Sequence, residues 1–215
     1  MFTGEIVFVR HGQSTANAAG VWQGQLDFPL SELGREQARR AGRALAGSPV
    51  AGVYTSPLLR ASQTAEGIVR ELSAAGGYGN GVVDLPGLME RSGGMFEGRV
   101  WAEFQQENPG LIEKFMSLPE AEAWRLAGAE DDAQLLVRFE AAISEIQARH
   151  AGSGGSIVVV SHGGVLRAYL RHLFGEEVLT GTRRAPNASL TRMSWSTGSG
   201  HPLLVDLALT GHLEE

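Results

Sequence analysis

The sequence predicts one doubly wound α/β domain, a mostly parallel sheet with helices on both faces. Three observations predict it. Ile6 to Val9 is an apolar run that breaks into Arg10-His11-Gly12, and Ile157 to Val160 is another that breaks into Ser161-His162-Gly163. Between them, apolar residues recur at helical spacing. Short, fully apolar runs read as strands covered on both faces. The 215 residues suffice for one well-filled domain, and no repeat or linker divides them. The whole chain is therefore read as a single catalytic domain, residues 1–215, with an insertion at about 99–130 over the active site.

After the first strand, Ser31 to Ala46 reads as a helix, with Ser31 as N-cap and Ala38, Ala41 and Leu45 on one face. Val50 to Thr55 is a strand. Leu59 to Leu72 is a helix through Ala61, Ala65, Ile68 and Leu72. Ala74 to Gly81 is a glycine-rich turn without the Gly-Lys-Ser/Thr of a nucleotide loop, and Val82 to Leu85 a third strand. Arg99 to Gly128 reads as short helices, with Pro109 and Pro119 as breakers. Asp132 to His150 is a long helix striped by Leu135, Phe139, Ala142 and Ile146, its acidic start marked by Asp131 and Asp132. Gly163 to Phe174 is the helix after Ile157 to Val160, and strands follow at Leu190 to Trp195 and Leu203 to Leu209.

Composition excludes several classes of function. A net charge of −6 opposes nucleic-acid binding, which needs a dense basic surface. With no cysteine there is no disulfide, thiolate nucleophile or Cys-ligated metal. No His/Asp clustering suggests a dinuclear metal site, so no metal is expected. Met1 to Val9 lacks the basic start of a signal peptide, and no apolar stretch approaches membrane-spanning length. The expectation is a cytoplasmic protein acting on a small molecule. Oligomeric state is open, with a homodimer among the allowed states.

In doubly wound sheets, ligands gather at the carboxyl ends of the strands. That rule selects Arg10-His11, Ser56 to Arg60, Ser161-His162 and, after the third strand, Glu90. Together they make a coherent phosphate site. Arg10 and Arg60 can fork the nonbridging oxygens. Gly12, Gly163 and Gly164 permit close backbone approach, and the helix opening at Gly163 offers free N–H groups to an anion. His11, held directly after a strand, is the candidate nucleophile. A hydrogen bond from its other nitrogen to a backbone carbonyl would set the required tautomer. Phosphohistidine formation divides hydrolysis into two steps, the first needing an acid and the second a base. One carboxyl group can serve both, and Glu90 is the candidate, with Glu97 the nearby rival.

These segments resemble the histidine phosphatase superfamily, which includes the cofactor-dependent phosphoglycerate mutases. The match runs from Val9 to Asn17, from Gln23 to Gly34, from Tyr54 to Ala65, from Leu88 to Gly98, from Val160 to Arg167 and near Asn187 to Ser189. The resemblance puts the nucleophile on His11, the phosphate-binding arginines on Arg10 and Arg60, the second histidine on His162 and the acid/base on Glu90. It also puts a phosphoryl contact on Asn17 and the loop bordering the pocket on Gln23 and Gly24.

Phosphatase and mutase share the first half-reaction and differ in whether water or a retained phosphoglycerate meets the phosphohistidine. The mutases resemble Glu-Arg-His-Tyr-Gly where this chain has Glu90-Arg91-Ser92-Gly93-Gly94, which favours a phosphatase. Gly93 stands where the family often carries an aromatic, and this leaves one pocket wall unassigned. A mutase would use 2,3-bisphosphoglycerate as primer; a phosphatase needs no cofactor. A catalytically inactive phosphate-binding module is a third reading, opposed by retention of every reactive side chain. Trp101, Phe104, Phe115, Met116, Leu118 and Trp124 either form an apolar lid that favours bulkier esters or pack the insertion onto the domain. Arg91, Arg99, Arg183 and Arg184 are candidates for a substrate carboxylate or second phosphate, although solvated arginines are commoner. His150, His172, His201 and His212 read as surface or helix-end residues.

Overall fold

The computed structural model describes residues 2–179, 185–197 and 201–214. Alternation along the central strands decides the architecture. In β1 (Gly4–Arg10) and β4 (Ser156–Ser161), Ile6, Phe8, Ile157 and Val159 face one way, while Val7, Val9, Val158 and Val160 face the other. All eight are buried. Each face therefore needs a cover of helices, as expected for a doubly wound sheet.

One cover is α2 (Glu32–Leu45) with α3 (Leu59–Ala74), joined by β2 (Val50–Thr55). Ser31 caps α2 by accepting from the Gly34 N–H at 3.1 Å, and Ala41 and Leu45 meet Ala61, Ala65, Ile68 and Leu72 in one core. The other cover is α7 (Asp132–Arg149) with α8 (Gly163–Phe174). The predicted stripe on α7 is buried in full, and Asp131 caps that helix reciprocally with Gln134.

The sheet is mixed, with strand order β3-β2-β4-β1-β5-β6, where β3 is Val82–Asp84, β5 Leu190–Trp195 and β6 Leu203–Leu209. The first four strands in that order are parallel; β5 runs antiparallel to β1, and β6 antiparallel to β5. Central β1 and β4 lie side by side, so their carboxyl ends open onto one place.

The prolines at 109 and 119 begin helices where the sequence reading took them only as breakers. Three helices fill the insertion: α4 (Trp101–Glu107), α5 (Pro109–Ser117) and α6 (Glu120–Leu126). Pro109 occupies the first position of α5 and Pro119 the N-cap of α6, where a missing N–H costs nothing. Phe104, Phe115, Trp101 and Trp124 gather with Phe96 and Trp22 into a small core of their own, while Met116 stands exposed. A four-residue helix, α1 (Thr15–Ala18), precedes the loop to α2. No helix among the described residues is long and apolar enough to cross a membrane.

Candidate active site

Sheet register sets the two histidines together. Arg10 pairs with Ser161, so the next residues of β1 and β4, His11 and His162, leave the sheet as neighbours with ring centroids 5.1 Å apart. His11 Nδ1 lies 2.7 Å from the Gly12 carbonyl. A carbonyl only accepts, so Nδ1 carries the hydrogen and Nε2 keeps its lone pair. Burial, then the charges of Arg60 and Arg10, hold His11 well below the ordinary imidazole value of 6.5. The ring is neutral, as a nucleophile must be.

His162 is fully buried and is lowered in the same way, by burial first and then by Arg60, His11 and Arg10. Its Nε2 lies 2.8 Å from Ser56 Oγ, and its Nδ1 has no hydrogen-bond partner among the described residues. Ser56 reaches this position because its N–H continues the β2–β4 ladder, donating to the Val160 carbonyl at 3.0 Å.

Arg60 is the second residue of α3, within its first turn, and is 1% exposed. Its terminal nitrogens donate to the carbonyls of Leu26 at 2.9 Å and Gly24 at 2.7 Å, while its Nε has no partner among the described residues. The expected fork is thus partly spent on the loop at 24–26, which it holds against the site. The Arg10 guanidinium donates to the Ala185 carbonyl and passes so close to Gly163 that a Cβ there would stand 3.2 Å from Arg10 Nε.

Glu90 changes one expectation. The second and third N–H groups of α8 are not free for an anion: Gly164 donates to Glu90 Oε2 at 2.9 Å and Val165 to Oε1 at 3.0 Å, with the Arg91 N–H also on Oε1 at 2.8 Å. The contact spans 74 residues of sequence, and the helix end attracts the negative charge. A Cβ at 164 would lie 2.5 Å from Glu90 Oε1 and would push the carboxylate off these N–H groups. Arg138 on α7 fastens the loop, donating to the carbonyls of Gly87, Met89 and Glu90 while paired with Glu130. The rival carboxylate, Glu97, instead accepts from the Gln25 and Gly93 N–H groups, which makes it a brace for the loop.

A cavity of about 780 Å³ connects these groups. Arg10, His11, Asn17, Gln23, Gly24, Arg60, Glu90 and Gly163 line it; His162 lies behind His11 and does not. Asn17 closes a capping box with Ser14 and accepts from Asn187 Nδ2 at 3.1 Å, so it is both cap and wall. Gln23 accepts from Ser14 Oγ at 2.7 Å. Gly24 has φ +53°, and a Cβ would fall 2.0 Å from Glu97 Oε1. Arg91 reaches the cavity but is bound to Asp132 and the Glu130 carbonyl; Arg99 is exposed and off it. Arg183 and Arg184 lie outside the described residues.

The wall left open by Gly93 is filled from elsewhere: a Cβ at 93 would meet the Trp22 indole nitrogen at 2.6 Å. Sequence reasoning missed Trp22, the Ser56 contact and Arg138. Only the placement of Ser56 at a strand end hinted at any of them. His150 caps α7 and reaches Tyr54 Oη at 2.9 Å; His172 pairs with Glu140, and His212 reaches the Ala188 carbonyl at 3.1 Å.

Residues 6–207 match the profile of the histidine phosphatase superfamily (branch 1). The chain belongs to that superfamily. Among histidine phosphatases, it is 39% identical over 170 residues to a metal-independent phosphoserine phosphatase of Arabidopsis thaliana, covering 78% of this chain and 68% of that one. It is 30% identical over 206 residues to a glucosyl-3-phosphoglycerate phosphatase of Mycobacterium tuberculosis, covering 90% and 87%. Its fold is that of a phosphoglycerate mutase from Bacillus anthracis, with TM-score 0.80 at 23% identity over 96% of this chain and 94% of that one.

Proposed function

We propose that this chain is a metal-independent phosphatase that hydrolyses small-molecule phosphomonoesters through a phosphohistidine on His11. The observation that carries the reading is a neutral, buried His11 on a cavity wall shared with Arg10 and Arg60, where the buried Arg60 Nε has no hydrogen-bond partner among the described residues. Leaving buried donors unpaired is costly, and an anionic ligand repays the cost.

In this reading His11 Nε2 attacks phosphorus, and the bond from phosphorus to the ester oxygen breaks. Glu90 gives the departing alkoxide its proton. Water then attacks the phosphoryl group, the phosphorus–nitrogen bond breaks, Glu90 recovers a proton, and inorganic phosphate leaves. Arg10 and Arg60 supply the positive charge that a metal provides in other phosphatases, and each such donor is worth about 3 kcal/mol in the transition state. Among the described residues, Glu90 Oε2 accepts only the Gly164 N–H, which leaves that oxygen a site to carry the transferable proton.

Phosphatase relatives and an aperture with room for water favour hydrolysis over mutase transfer. The test is hydrolysis of p-nitrophenyl phosphate in EDTA by the parent chain and its absence in His11→Ala. Faster interconversion of 2- and 3-phosphoglycerate than release of phosphate, dependent on a bisphosphoglycerate primer, would replace this reading with the mutase. Phosphate binding without either activity would replace it with the inactive module.

A further inference from the structure

Part of the cavity wall plays no role in the chemistry above. Beyond the phosphate end it is walled by Trp22, Trp101 and Trp124, with Val21, Val100 and Ala102 beside them. Pockets of roughly 300–1,000 Å³ hold drug-sized ligands. At about 780 Å³ this one far exceeds what a phosphate on a three-carbon alcohol fills.

The three indoles are fixed in place. Segments distant in sequence are sewn together by backbone bonds: Trp22 amide N–H to Arg99 carbonyl at 2.8 Å, Trp101 amide N–H to Gly20 carbonyl at 3.1 Å and Gly98 amide N–H to Trp22 carbonyl at 2.8 Å. Trp22 then packs against Trp101 and Phe96, with centroids 5.2 and 5.5 Å away. The Arg91 guanidinium lies 4.5 Å over the Trp124 ring and is itself anchored by Asp132 and the Glu130 carbonyl. None of the three tryptophans is fully buried, although each borders the small core of the insertion. What remains is rigid aromatic surface facing a cavity, which binds at little entropic cost.

We infer that this end is the leaving-group subsite and that it selects phosphomonoesters of ring-bearing alcohols, whose flat carbon face lies on the tryptophans. The inference rests on the phosphatase reading and names the substrate class for that site.

The test compares 2-phenylethyl phosphate with ethyl phosphate. Both release a primary alkoxide, so proton delivery is matched and the ratio of their kcat/KM values reads the subsite. The expected ratio is on the order of 30-fold in favour of the phenyl ester. It falls toward one in Trp101→Ala and in Trp124→Ala. Should either variant fail to fold, Ala102→Leu adds bulk at an exposed wall position and lowers the same ratio. A parent ratio near one, with both esters hydrolysed, overturns the subsite and leaves the phosphatase standing. If neither ester nor p-nitrophenyl phosphate is hydrolysed the phosphatase reading fails. Calorimetric binding of 2-phenylethylphosphonate and ethylphosphonate to the parent chain then decides the subsite separately: about tenfold tighter binding of the first supports it, and equal binding overturns it.

Discussion

Glu90 lies across the first turn of the helix that follows His162, its Oε2 2.9 Å from the Gly164 N–H. A carboxyl group held there stands at the rim of the cavity that His11 also lines. Glu90→Gln keeps one accepting oxygen, replaces the other with an NH2 that cannot accept, and removes the transferable proton. Alkyl phosphates should lose about 100-fold or more in kcat, and aryl phosphates, whose leaving groups need little protonation, far less. Steady-state rates on glycerol phosphate and p-nitrophenyl phosphate check this. Equal losses would remove Glu90 from the acid role.

The two buried histidines give a second expectation, in pH. Both are lowered in the folded chain by burial and by Arg60, so the folded state stays neutral where the unfolded chain takes up protons. Stability is therefore unaffected by these groups above about pH 6.5 and falls as pH drops below it, at up to about 1.4 kcal/mol per pH unit for each histidine. Urea unfolding at pH 7.5 and 5.5 should show that slope, and His162→Asn should flatten it. Because His11 remains unprotonated, kcat should persist at pH 5.5. A kcat that collapses at pH 6.5 through protonation of His11 would contradict the assignment.

Ser56 supplies the third. Its hydroxyl is 2.8 Å from His162 Nε2, with both groups buried. Ser56→Ala leaves that nitrogen without a partner, at a cost of about 1–3 kcal/mol in stability. It also frees the ring to turn, so kcat should drop about tenfold, while Ser56→Thr restores much of it. Thermal unfolding and kcat measured together separate the two effects. Unchanged kcat in the alanine variant would mean that His162 needs no orienting partner.

Local signals carried most of the fold. The strands at 50–55, 190–195 and 203–209 and the helix at 163–174 stand where apolar runs and helical periodicity put them. His11, Arg60 and Glu90 were legible because strand ends in an α/β sheet gather ligands, and they do share one cavity. What escaped depends on contacts far apart in sequence. Nothing local ties Ser56 to His162, or Trp22 to the space over Gly93. The N–H groups at the start of α8 looked available because a sequence does not reveal that Glu90 folds back onto them. The prolines of the insertion were read for what they forbid, an internal helix position, when here they begin helices.

The whole scheme turns on a bond between His11 and phosphorus. Rapid acid-free quenching of the parent chain with a ³²P-labelled phosphomonoester should trap label on the protein that survives alkali and is lost in acid. The labelled peptide should contain position 11, and His11→Ala should neither take up label nor turn over substrate. Steady turnover with no protein-bound label at any quench time, or turnover retained by His11→Ala, would contradict the account.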